Sequence, residues 1–65
     1  MIEITKLNDK KVTINADMIE AIEETPDTVI TLNTGKKIIA KESRQEVTNL
    51  VISYTREVFK NIFGN

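Results

Sequence analysis

Apolar and polar positions alternate along the first two thirds of the chain and then change period. Ile2 and Ile4 share one face of an extended segment with Glu3 and Thr5 on the other, which predicts a strand over Ile2 to Leu7. Val12 and Ile14 repeat the alternation over Lys11 to Ile14. Asn8-Asp9 lies between the two runs, and both residue types tolerate the left-handed backbone of a two-residue hairpin, so the two strands are expected to pair directly. Asn15 to Thr25 carries two readings. The favoured one is a single turn at Ala16 to Met18, capped by Asp17, followed by a strand from about Ile19 to Glu24. Met18, Ile19 and Ile22 also sit at helical spacing, which keeps a short helix through Ile22 open, although isolated helices of that length are poor.

Thr25-Pro26-Asp27-Thr28 predicts a turn, with Pro26 presetting φ at the first central position and Asp27 suiting the second. Thr28 to Leu32 is rich in β-branched residues and predicts a strand. Asn33-Thr34-Gly35 closes the next hairpin, with Gly35 supplying a positive φ, and Lys36 to Lys41 forms a fifth strand. Val29 and Ile30 are neighbours, as are Ile38 and Ile39, so both faces of these strands carry apolar groups. A flat sheet covered on one side has no need of that. A curled, barrel-like sheet, or one covered by a helix, does.

At Ser43 the period becomes helical. Ser43-Arg44-Gln45-Glu46 matches a capping box, and the helix runs to about Ile62 with Gly64 as its stop. Val47, Val51, Tyr54, Val58 and Ile62 form one stripe, with Leu50 at its edge; Ile52, Phe59 and Phe63 form a second, about 100° round. The fold expected is α+β: a small, curled, barrel-like five-stranded antiparallel sheet followed by one long C-terminal helix. It is read as a single domain over 1–65, with a β-meander over 1–42 and the helix over 43–63.

The apolar arc of this helix exceeds half its circumference, wider than a core-facing stripe requires. If one stripe covers the sheet, the other is an exposed patch, and exposed apolar patches mark interaction sites. The competing reading buries both stripes by curling the sheet around the helix. The interface reading is favoured, with Ile52, Phe59 and Phe63 as the patch and Arg56 and Lys60 at its rim.

Composition narrows the chemistry. A chain of 65 residues makes one domain and buries only roughly 60% of its unfolded surface. It has no Cys and no His, which removes disulfides, the usual zinc ligands and the commonest catalytic nucleophile and base. Support from a second copy is therefore expected, and a homo-oligomer follows. Asp17, Glu20, Glu23 and Glu24 form an acidic cluster without the spacing of a calcium loop and read as a solvated face. The two glycines, Gly35 and Gly64, make no phosphate loop, and Ser43 and Ser53 have no base partner. No enzyme activity, cofactor or metal is expected. Lys10, Lys11, Lys36, Lys37, Lys41 and Arg44 are the alternative site, a basic patch for a small nucleic-acid-binding regulator. Against it, the net charge is only −1, no aromatic residue lies among these positions for base stacking, and edge-strand lysines also block aggregation. The N-terminus lacks the apolar run of a signal peptide, and no stretch reaches the ~18 apolar residues of a membrane span. A complete cytoplasmic protein without membrane insertion is expected.

The segment KLNDKKVTINADMIEAIEETPDTVITLNTGKKIIAKES resembles the FlbD/SwrD family of small flagellar proteins. The order of parts is shared: a first hairpin, an INAxxIExIEETPDTVITL run, a TGKK hairpin, a KES lead-in and a helix. The likeness covers about four fifths of the chain and thins after Glu46. Asp9 stands where family members often have Gly. The resemblance implies a non-enzymatic role in motility, with flagellar motor or stator components as partners and a place at the periphery of the flagellar base. It transfers no ligand or catalytic residue.

Overall fold

The computed structural model describes residues 1–63, Phe63 by its backbone alone. The expected stop at Gly64 lies outside the described residues. Strands β1 (Ile2–Thr5) and β2 (Lys11–Ile14) come first, then a 3₁₀ turn (Ala16–Met18). Strands β3 (Ile19–Glu24), β4 (Thr28–Leu32) and β5 (Lys37–Ala40) follow, and helix α1 (Arg44–Phe63) ends the described chain. The turn-then-strand reading of Ala16 to Glu24 holds, and no helix forms through Ile22. The cap of that turn is Asn15 rather than Asp17: the Asn15 side-chain carbonyl accepts from the Asp17 N–H at 3.0 Å. An extended Asn preceding the turn is the normal geometry of an N-cap, and it leaves Asp17 exposed.

Two hairpins share one design. The Lys6 N–H donates to the Lys10 carbonyl at 2.8 Å and the Asp9 N–H to the Lys6 carbonyl at 2.9 Å. Leu32, Lys36 and Gly35 repeat these bonds at 2.8 and 2.9 Å. Each loop thus spans three residues, not the two expected for the first hairpin, and ends on a left-handed residue, Asp9 at φ 68° and Gly35 at φ 91°. This is a turn followed by a bulge, in which glycine is the unstrained choice and Asp among the few tolerated replacements. Between β3 and β4 the Thr25–Pro26 peptide bond is cis.

The strands do not make one barrel-like sheet. β1 and β2 form a two-stranded antiparallel sheet, and β3, β4 and β5, in that order, form a three-stranded one. The two meet only at a corner. There Lys6 bridges Ala40, the Lys41 N–H donates to the Thr5 carbonyl at 2.8 Å, and the Thr5 N–H donates to both carboxylate oxygens of Glu42 at 2.9 and 3.1 Å. A side-chain carboxylate takes the place of the next ladder carbonyl. Strands of four to six residues are too short to lap further, so the sheet opens instead of closing.

The core fills the angle between the sheets. Ile22, Ile30 and Ile38 form a cross-strand row on one face of the three-stranded sheet. Ile2, Ile4 and Ile14 face them from the other sheet, and Val47 closes the space from α1. Ile4, Ile30 and Val47 are the large side chains with no meaningful exposure. The helix begins where the pattern predicts. The Glu46 N–H donates to the Ser43 hydroxyl at 3.1 Å and the Ser43 N–H to the Glu46 carboxylate at 3.0 Å, a reciprocal capping box. The Arg44 N–H donates to the Glu24 carboxylate at 2.8 Å, which ties the helix N-terminus to the end of β3.

Two predictions test these local arguments. Asp9→Val forces a β-branched residue into the left-handed region and lowers stability by about 1–2 kcal/mol, whereas Asp9→Gly stays within about 0.5 kcal/mol. Denaturant titration checks both. At the corner, burial pushes the Glu42 carboxyl up, but the Thr5 hydrogen bonds and the nearby Lys11 charge outweigh it and hold the group below its ordinary value. The unfolded chain therefore takes up this proton first, so the stabilisation is present above the ordinary glutamate range and is lost as pH falls through the folded value. Unfolding measured from pH 7 downward should show Glu42→Gln least stable relative to wild type near neutrality, with the gap shrinking in acid.

Candidate interaction surface

Helix α1 is longer than the layer beneath it. Its 20 residues span about 30 Å, against about 13–20 Å for strands of four to six residues. The molecule measures 40 × 22 × 19 Å. Val47 is fully buried, and Leu50, Val51 and Tyr54 pack half-buried against the core. Val58 is still half-buried, but every other residue from Thr55 to Ile62 is exposed.

The second stripe faces solvent. Ile52 is 43% exposed and Phe59 60%, with Arg56 and Lys60 exposed beside them. The competing reading, in which a curled sheet buries both stripes, is not what forms. The side chain of Phe63 lies outside the described residues. Ile62 departs from its expected place: it belongs to the core-facing stripe by angle, yet it is 68% exposed because the helix has already run past the sheet. Angle alone could not reveal this; counting rise per residue against strand length would have. The distal helix therefore also exposes Ile62, three residues on from Phe59.

Two of the six basic positions are engaged within the fold, and two share a groove. Lys41 is ion-paired with Asp9, and the Lys11 ammonium donates to the Thr5 hydroxyl at 3.0 Å. Lys36 and Lys37 do converge, with Lys6, Leu7 and Ile39, on an open groove of about 370 Å³ beside the first hairpin. Lys10 and Arg44 line no part of it, and neither does any aromatic residue. The acidic residues also stay apart. Glu24 holds the helix N-terminus, and among the described residues no three carboxylates gather closely enough to hold a metal ion. No described helix is long and apolar enough to cross a membrane.

The described residues form an open α+β fold whose helix exposes Ile52, Phe59 and Ile62. The chain belongs to the FlbD family: the family model described as flagellar and swarming motility proteins matches residues 1–59. The match reaches past Glu46, where the likeness read from sequence thins, and takes in Ile52, Arg56 and Phe59. No curated protein and no solved structure is significantly similar to the chain.

The two halves of the helix should respond differently to truncation. Val47→Ala empties a fully buried site and should cost about 2 kcal/mol, whereas Ile62→Ala should stay within about 0.5 kcal/mol. Equilibrium unfolding of the two variants makes the comparison.

Proposed function

We propose that the protein supports flagellar motor function by binding a motor or stator component through the distal face of α1, without catalysing a reaction. The observation that carries the reading is the solvent-facing Ile52 and Phe59, with Ile62 beside them, on a helix whose opposite side already satisfies the core. Membership of a flagellar and swarming motility family supplies the setting. A protein partner would bury the apolar stripe and leave Arg56 and Lys60 at a polar rim, the usual layout of an interface. The site of action proposed is the cytoplasmic periphery of the flagellar base. The nucleic-acid alternative has less to stand on: Lys41 and Lys11 are engaged within the fold, and the groove at Lys36 and Lys37 has no aromatic platform for bases.

Truncating a central aromatic in an interface typically costs 2 kcal/mol or more, about 30-fold in affinity. Ile52→Asp combined with Phe59→Asp should therefore abolish swarming while the purified variant keeps wild-type circular dichroism and melting. A folded double variant that swarms normally contradicts the proposal.

A further inference from the structure

The paired apolar neighbours Val29-Ile30 and Ile38-Ile39 place isoleucine and valine on both faces of the three-stranded sheet, but the core accounts for only one of them. The register puts Glu23, Val29 and Ile39 in one cross-strand row of the outer face, and Ala21, Thr31 and Lys37 in the next. Val29 and Ile39 are absent from the residues packed around the core, and Ile39 is 43% exposed. Helix α1 docks against the core, and at the β5 edge of the outer face Lys37 and Ile39 line the groove beside the first hairpin.

The charges on this face have a particular arrangement. Glu23 lies on β3 and Lys37 on β5, both exposed, in different rows. Two strand spacings and two residues separate them, about 12 Å, and no ion pair joins them. They occupy opposite corners of a patch whose centre is Val29 and Thr31 and whose remaining corners are Ala21 and Ile39. A two-fold axis along the Ala21–Ile39 diagonal lays Glu23 of one copy over Lys37 of the other, and does so twice. Ile39 then meets its own copy, and the strands of the two sheets cross steeply, within the orthogonal class of sheet packing.

We propose that this outer face is a self-complementary dimer interface between two copies of the chain. The patch is self-complementary in charge, which selects a second copy over an acidic or a basic partner: either of those would meet one like charge. Its footprint, about 250 Å² for three short strands, is well below the ~800 Å² per partner of a standard interface. The dimer is therefore weak and forms as concentration rises, as where copies are gathered on a larger assembly. The inference does not depend on the helix-face reading, since the two surfaces lie on different elements.

Sedimentation equilibrium of the full chain from about 1 µM to about 1 mM provides the test. The wild type should move from monomer toward dimer mass. Glu23→Lys and Lys37→Glu should each weaken association by at least ~10-fold through like-charge contact. The double variant E23K/K37E should restore it. An equimolar mixture of the two single variants should associate where neither does alone, because each then meets its complement. Both substitutions are at exposed positions, and circular dichroism confirms that each variant is folded. A wild type that stays monomeric throughout overturns the proposal. So does association that survives both single charge reversals, or that is lost in Ile52→Asp/Phe59→Asp while the charge variants behave as wild type. Loss of swarming in that helix variant with dimerisation intact separates the two surfaces.

Discussion

Three fully buried side chains belong to one core cluster: Ile4 from the two-stranded sheet, Ile30 from the three-stranded sheet and Val47 from the helix. All three layers contribute to this cluster. A chain this short, without disulfide or the usual zinc ligands, must close its interior on few residues. It does so with isoleucine rows from both sheets and a single fully buried helical position. The polar fittings around that contact act as latches. Lys41 continues the ladder to Thr5, Glu42 completes it with a carboxylate, and Ser43 caps the helix, so three consecutive residues join both sheets to α1.

A core that closes early leaves surface over. The helix is held through Tyr54 and partly at Val58, and beyond that it carries Phe59 and Ile62 into solvent. The three-stranded sheet likewise has Val29 and Ile39 outside the core cluster, with Ile39 exposed. We propose that both serve association: a helix stripe with a basic rim, and a sheet patch with opposite charges at opposite corners. One surface is read here as reaching a different protein and the other as reaching a second copy.

Local chemistry was the legible part of this sequence. The strands, the turn at Ala16 to Met18, the left-handed Gly35 and the Ser43–Glu46 capping box each follow from residues close together in the chain, so spacing and propensity suffice. What local reading missed was set by distance. Whether β1 joins β5 along its length or only at Lys6 and Ala40 depends on the relative tilt of two short sheets, which alternation does not encode. Ile62 shows the same limit, since its angle on the helix is right for the core while its height is not. The cap at Asn15 and the three-residue first loop are smaller misses, in which the neighbouring residue won a local hydrogen bond. For the site, the stripe of Ile52 and Phe59 was legible from periodicity. The groove that gathers Lys6 and Leu7 with Lys36 and Lys37 was not, because it forms where two hairpins meet.

The central claim is that the core holds α1 firmly through Tyr54 and only partly at Val58, and we propose that the exposed face of the distal helix meets a partner. Residue-resolved amide hydrogen exchange on the purified chain at low concentration tests it most directly, because protection reports how far each segment is held by the global fold. The account predicts slow exchange at Ile4, Ile30 and from Val51 to Tyr54, with protection falling away over Arg56 to Ile62. Protection at Phe59 to Ile62 equal to that at Val51 would contradict it, since the distal helix would then be part of the cooperative core.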